Sequence, residues 1–285
     1  MLPRVDTKSA PAVAGWVQAK FAGLYPDEKN SWLPRLFREV ADLFEGRHAD
    51  YQPVDLRYHD LEHTLQATVC LVELMEGKER QGDGERLGAR QFQLAIAAGM
   101  LHDAGYLKLR HDVQGTGAKY TFCHVLRSCA FAASYLPTLG ATEPEIAGVL
   151  GAISCTGPAK QVQRLHFAHP SQKFIGLALA TADYLSQMAA PDYPDELEIL
   201  YAEFCESDDY ANVPAGQRAF KSAADLIART PAFWRNVVRP KLQNDYEDAY
   251  LFLQDAETGR NAYVEAVERN IAIIESRCAR WVAAS

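Results

Sequence analysis

The sequence predicts an all-α fold, and three observations support that prediction. Apolar residues recur at helical spacing through nearly the whole chain, whereas the alternating pattern of a β-strand is scarce. Glycine and proline clusters divide the chain into segments of helical length. With 285 residues, 48% of them apolar, the chain can bury a full core. We therefore expect about six or more helices packed around one centre.

The helices are predicted in order from the periodicity. The first two are expected at about residues 12–24 and 31–45, after which Pro53 interrupts the pattern. A third helix should follow His63, and the apolar run 92–101 should form a fourth.

The C-terminal third shows no chemical motif. Its apolar and aromatic residues keep a helical spacing, as in the last amphipathic stretch 263–274. We interpret them mainly as core, with the roof of a substrate pocket or the face of a homodimer as alternatives. Residues 1–195 are thus predicted to form a single helical core, and residues 196–285 a helical extension packed on it.

Two histidines four residues apart, His59 and His63, are followed further along the chain by the adjacent pair His102 and Asp103. Residues four apart lie on one face of a helix, so both imidazoles can point into one cavity. Imidazole and carboxylate ligands suit divalent Mn, Fe, Co, Ni or Zn, and a carboxylate also suits Mg. The pattern predicts a site for one or two divalent metal ions.

A histidine beside an apolar helix is more often a hydrogen-bonded core residue than a ligand. The clustering favours the metal here, because Asp103 ends an almost purely apolar stretch, where an unpaired carboxylate is costly to bury. A bound cation would offset that cost. Asp60 or Glu62 is the expected carboxylate partner of an imidazole nitrogen. The alternative is a solvated helix residue, and we favour it for Asp60.

Three segments resemble the HD superfamily of metal-dependent phosphohydrolases, which is called after its His-Asp pair. Segment 58–63 is similar to the Tyr-His-Asn-x-x-His segment of cyclic nucleotide phosphodiesterases, and segment 100–106 resembles the bacterial HD signature. The apolar run 178–185 contains Asp183, which resembles the late aspartate of that superfamily.

The resemblance implies that His63, His102, Asp103 and Asp183 bind the metal. His59 would be the general acid, while Asp103, bridging two ions, would orient a metal-bound hydroxide. The implied activity is hydrolysis of a phosphate mono- or diester, with a nucleotide as the favoured substrate. The chain lacks the segments by which hydrolases of cyclic-di-GMP and of alarmones are known, so those substrates are less expected.

Segment 115–128 extends the predicted site. On the same resemblance His124 would bind a second metal ion, and a helix histidine without a ligand role is the alternative. Lys119 and Arg127 are candidates for substrate binding, because a cation stabilises phosphoryl charge. The glycine-containing stretch 115–117 could present backbone N–H groups to a phosphate, although a turn is its more common role.

The composition indicates which classes of binding partner are expected. A net charge of −8 argues against a broad surface for nucleic acid or anionic membranes and fits a small phosphate ester. No segment has the apolar length of a membrane-spanning helix, and the first residues lack an apolar signal region. The six cysteines form no Cys-x-x-Cys pair, so we expect a cytoplasmic protein without a disulfide framework.

Three functional hypotheses remain open. The favoured one is a divalent-metal phosphohydrolase, because a purely structural ion needs no acid beside it, and His59 is available as one. The second is a non-catalytic sensor that binds a metal or another ligand. The third is a di-iron oxygenase, since some proteins of the HD fold use two irons, and it would require His124 or another added ligand.

Overall fold

The computed structural model describes residues 2–29, 32–82, 85–157 and 162–284. Within them lie ten α-helices and no β-strand, and 69% of the structure is helical. The all-α prediction is confirmed. The helices, in chain order, are α1 (Ala10–Leu24), α2 (Leu33–Phe44), α3 (Leu61–Gln81), α4 (Ala89–Leu101), α5 (His124–Tyr135), α6 (Glu143–Ser154), α7 (Pro170–Ala189), α8 (Tyr193–Tyr210), α9 (Ala223–Phe233) and α10 (Ala262–Ala284).

The first two helices lie within two residues of their predicted bounds, and local sequence explains where they begin. The Ser9 side chain accepts a hydrogen bond from the backbone N–H of Ala12 and so caps α1. Pro11 and Pro34 occupy the first turns of α1 and α2, where the missing N–H removes no helical hydrogen bond.

Helices α3 and α7 pack against each other at the centre of the core. Helix α4 packs on α3, while α6 packs on both α7 and α4. Gly99 brings α4 close to α3, because a Cβ there would lie 3.1 Å from Thr68 Oγ1. This packing brings the start of α3 and the end of α4, where His63 and His102 lie, next to the part of α7 that carries Asp183.

The start of α3 differs from the prediction. Asp60 is the N-cap residue, and its carboxylate accepts a hydrogen bond of 3.0 Å from the backbone N–H of His63. His59 therefore precedes the helix, and the expectation that His59 and His63 share one helical face is wrong. Asp60 stops the helix from extending back to His59, because an N-cap residue has extended backbone geometry.

The C-terminal helices bury much of the predicted apolar stripe. Trp234, Val238 and Val267 are buried, whereas Phe233 and Val237 stay partly exposed. Helix α8 runs across the predicted boundary at residue 195, and the division into core and extension stays a prediction.

Among the described helices, none combines the length and the apolar composition that crossing a bilayer requires.

Candidate metal centre

Five predicted ligands come together from separate helices. His63 lies in the first turn of α3, while His102 and Asp103 follow the last turn of α4. His124 is the first residue of α5, and Asp183 lies within α7. The packing of α3 on α4 and α7 thus converts distant parts of the sequence into one cluster, which we call the ligand cluster.

The donor atoms of the ligand cluster face one another. His63 Nε2 lies 3.3 Å from Asp103 Oδ2 and 3.3 Å from Asp183 Oδ1. His102 Nε2 lies 3.4 Å from the same Asp103 oxygen and 3.7 Å from Asp183 Oδ1. His124 Nε2 is 3.7 Å from the other Asp103 oxygen, Oδ1. Asp103 therefore lies between the imidazoles of His63 and His102 on one side and that of His124 on the other.

Backbone carbonyls orient two of the rings. The Nδ1 atom of His102 lies 2.7 Å from the carbonyl oxygen of Gly99, and His124 Nδ1 lies 2.7 Å from that of Thr121. Because a carbonyl oxygen can only accept, each Nδ1 carries the proton. In the neutral ring Nε2 then has a free lone pair, as metal binding requires.

Two atoms of the cluster lack a hydrogen-bond partner. Among the residues that the structure describes, His102 Nε2 and Asp103 Oδ2 are buried polar atoms with none. Buried polar groups are normally satisfied, and a role in binding an ion is one recognised reason for an exception. His63, His102 and Asp103 are a buried group that could hold a metal ion, and their two imidazoles and one carboxylate fit a divalent ion.

The pKa values reflect the same close packing. Burial disfavours charge on His63, but the adjacent carboxylates of Asp103 and Asp183 outweigh it and raise the pKa of His63 to about 10. Burial likewise opposes ionisation of Asp183, yet the adjacent imidazoles of His102 and His63 lower its pKa to about 2. For His124, burial is dominant and lowers the pKa. The carboxylates thus attract positive charge to the centre, supplied by protons or by a cation.

Gly105 permits the approach of α5 to the cluster. A Cβ at this position would lie 1.9 Å from the carbonyl oxygen of His124 and 2.7 Å from the backbone nitrogen of Ser128. Both neighbours are backbone atoms, which cannot rotate away. The Ser128 hydroxyl also accepts a hydrogen bond of 2.8 Å from the backbone N–H of Gly105. Glycine at 105 is therefore required to place His124 beside Asp103.

His59 lies in the loop before α3 and is held by Glu203 of α8. His59 Nδ1 donates a hydrogen bond of 2.6 Å to Glu203 Oε2. The other carboxylate oxygen accepts from the backbone N–H groups of Arg57 and Tyr58 at 3.2 and 2.9 Å. The side chains of His59 and Glu203 are only 15% and 7% exposed, so water competes little for this pair.

Glu203 is the residue that sequence reasoning missed, and it takes the place expected for Asp60 or Glu62. Asp60 caps α3, and Glu62 instead accepts hydrogen bonds from Thr7 and Gln66. Glu203 stands 144 positions after His59, and no spacing rule links residues so far apart. Its only sequence signal is an acidic residue near the apolar stripe of α8.

Asp183 has an outer partner as well. Gln187, one turn later on α7, donates from Nε2 to Asp183 Oδ1 at 3.3 Å. The hydroxyl of Tyr58 donates to Gln187 Oε1 at 2.7 Å. The backbone nitrogen of Tyr58 also donates to Glu203, so one residue connects the partner of His59 with the partner of Asp183.

The two predicted substrate-binding cations have other contacts. Lys119 Nζ forms an ion pair with Asp112 and donates to the carbonyl of Gln114, and its side chain is 4% exposed. Arg127 donates to the carbonyls of Gly105 and Leu107 at 2.6 and 2.8 Å. A role in substrate binding stays a prediction that would require these contacts to break.

Backbone N–H groups of the stretch 115–117 also donate hydrogen bonds within the protein. The backbone N–H of Thr116 donates to Glu206, and that of Gly117 donates to Asp55 at 2.8 Å. Gly115 has a φ of +60°, a left-handed conformation that favours glycine. The structure therefore supports the turn interpretation of this stretch over the phosphate-binding one.

No known family model matches this chain, and no curated protein matches it. A functional proposal must therefore be argued from the side chains of the site.

Proposed function

We propose that this protein is a divalent-metal-dependent phosphohydrolase of the HD type, which cleaves a phosphate mono- or diester, with a nucleotide as the favoured substrate. One observation carries the proposal. The Nε2 atoms of His63 and His102 face the carboxylates of Asp103 and Asp183, and His124 Nε2 faces the other oxygen of Asp103. A further imidazole, His59, is held nearby by its own carboxylate. A structural ion would need no such additional acid.

The proposed metal ligands are His63, His102, Asp103 and Asp183, with His124 added when a second ion binds. Asp103 suits a bridging role because its Oδ2 faces His63 and His102 while its Oδ1 faces His124. The ions would be Mn, Mg, Fe, Ni, Co or Zn, all of which accept imidazole or carboxylate ligands. Bound divalent metal supplies an activated water nucleophile and polarises a phosphoryl oxygen.

His59 is the proposed general acid. In-line attack at phosphorus places negative charge on the leaving oxygen, and a positioned imidazolium can donate a proton to it. The Glu203 carboxylate accepts the hydrogen bond from Nδ1, which leaves Nε2 for the leaving oxygen.

The test combines metal analysis with assays on a panel of phosphate mono- and diesters, each measured with Mn, Mg, Ni, Co, Fe and Zn. Asp103→Asn should abolish both metal binding and turnover. His59→Gln should keep the metal and lower kcat by about 10²- to 10⁴-fold, the usual contribution of a general acid. His166→Gln, at an exposed position, is the matched control and should behave as wild type.

Metal-dependent turnover that survives Asp103→Asn would refute the proposal. Bound metal without turnover on any ester would favour the sensor instead.

A di-iron oxygenase is the second candidate, and the position of His124 is the observation that favours it. Its Nε2, 3.7 Å from Asp103 Oδ1, adds the ligand that such a centre needs. Loading the protein with ferrous iron and measuring oxygen consumption separates the two. Oxygen uptake coupled to an organic product, without ester hydrolysis, would select the oxygenase.

A further inference from the structure

We propose that Tyr106 is a positioning residue that holds His59 and His124 at a fixed separation on its two faces. The inference rests on the proposed function for the roles of the two histidines. It goes beyond that function by identifying the element that connects the proposed acid to the proposed second metal position.

The geometry of three rings carries the inference. The Tyr106 and His59 centroids lie 4.6 Å apart with an interplanar angle of 21°, and those of Tyr106 and His124 lie 4.4 Å apart at 11°. Both pairs are stacked. A ring that stacks on two others within this range restricts rotation and translation of both.

Tyr106 is itself rigidly held. It is 2% exposed and lies in the short 3₁₀ turn Ala104–Tyr106 that directly follows Asp103. Its backbone N–H donates to the carbonyl of Asp103 at 3.1 Å. On the other side, a Cβ at Gly117 would lie 2.3 Å from the Tyr106 carbonyl oxygen, so the chain packs tightly there.

Each histidine then has two restraints of different kinds. His59 is held at its edge by Glu203 and on its face by Tyr106. His124 is held at its edge by the Thr121 carbonyl and on its face by the same tyrosine. A hydrogen bond alone allows a ring to rotate about the bonded atom, and the stacked face removes that freedom. Tyr106 thus fixes the distance between His59, the proposed general acid, and His124 of the ligand cluster.

The chemical consequence concerns placement. In-line phosphoryl transfer requires the nucleophile and the leaving oxygen on opposite sides of phosphorus, and small misplacements of a catalytic group reduce rate strongly. Loss of the ring should therefore lower kcat while KM changes little. It should also weaken metal binding through His124, because outer partners of a ligand contribute to metal affinity.

The experiment compares Tyr106→Phe, which keeps the stack, with Tyr106→Met and Tyr106→Leu, which remove it. Tyr263→Met and Tyr263→Leu are the matched controls, because Tyr263 is also a buried tyrosine but lies beside Cys70 rather than the cluster. For all variants, metal affinity is measured by calorimetric titration and turnover by steady-state kinetics. Thermal unfolding confirms that each variant is folded.

We expect Tyr106→Phe to stay within about twofold of wild type in both measurements. Tyr106→Met should lower kcat by about 10- to 100-fold and metal affinity by about tenfold, the range seen for outer partners of metal sites. Equal behaviour of the Tyr106 and Tyr263 variants would overturn the proposal. If Tyr106→Leu does not fold, the Met pair decides. If the wild type hydrolyses no ester, the proposed function fails, while the metal titration still tests Tyr106.

Discussion

The ligand cluster and the inner face of α8 both bury carboxylates, but they satisfy them in opposite ways. Glu203 and Glu206 on α8 accept hydrogen bonds from backbone N–H groups, a threonine hydroxyl and an imidazole. Asp103 faces imidazoles at 3.3 to 3.7 Å, and its Oδ2 has no hydrogen-bond partner among the described residues.

The difference distinguishes a buried carboxylate that stabilises the fold from one that is suited to bind a metal ion. A buried carboxylate that is fully hydrogen-bonded stabilises the fold and has no lone pair left for a cation. A buried carboxylate that faces ring nitrogens and is left partly unsatisfied is suited to bind a cation. Glu203 is of the first kind, because its hydrogen bonds hold the loop 57–59 and orient the proposed acid.

The largest expected effect separates Glu203 from Glu206 on α8. Glu203→Gln keeps the size of the side chain but removes the charge that orients His59, so kcat should fall by about 10- to 100-fold at unchanged metal content. Glu206→Gln, at the same helix face, loses only its contacts to Thr116 and should lower kcat by less than about twofold. Equal losses in the two variants would contradict a special role for Glu203.

Metal affinity should depend on pH because His63 must lose a proton to bind. Its pKa of about 10 means that the ring is protonated at neutral pH in the metal-free protein. Apparent affinity should therefore rise by about tenfold per pH unit between pH 6 and 8, since a metal replaces at least one proton. Calorimetric titrations with Mn at fixed ionic strength measure the slope. A flat profile would show that His63 does not bind the metal.

A smaller effect is expected from the outer partner of Asp183. Gln187→Leu removes the hydrogen bond to Asp183 Oδ1 and leaves the Tyr58 hydroxyl without its acceptor. Metal affinity should fall by about tenfold, while turnover at saturating metal stays close to wild type. Gln66→Leu on α3, with a hydrogen bond to Glu62, is the control. A fall in kcat that excess metal does not restore would place Gln187 in the chemistry.

The smallest effect on turnover is expected from Lys119. Lys119→Met leaves Asp112 and the Gln114 carbonyl without their buried partner, which should lower the free energy of unfolding by about 2 kcal/mol. KM should not change, because in this structure the ammonium group points to those partners. Denaturant unfolding and steady-state kinetics check both parts. A rise in KM without a loss of stability would restore the substrate-binding hypothesis.

The sequence predicts the helical architecture well because periodicity is a local signal. The fourth helix and its terminal His102 and Asp103 follow from a continuous apolar run that ends in two polar residues. His59 shows the limit of the same argument. Its spacing from His63 fits a helix, yet the capping preference of Asp60 competes with helix extension and prevails.

Other features depend on contacts that spacing cannot supply. Glu203 meets His59 only because α8 packs against the loop before α3. The ring stack of Tyr106 depends on the approach of α5, which no local pattern indicates. Lys119 and Arg127 have the right charge for a phosphate site, but charge alone does not reveal that a neighbouring aspartate or carbonyl already pairs with them.

Gly105 offers a practical handle for protein engineering. A methyl group added at this position would clash with the main chain of α5. Gly105→Ala should therefore push His124, the proposed ligand of a second ion, away from the turn that carries His102 and Asp103. The nearest atoms belong to α5 and not to α3 or α7, which carry His63 and Asp183. On the proposed function, Gly105→Ala would therefore weaken binding of the second ion without replacing any ligand.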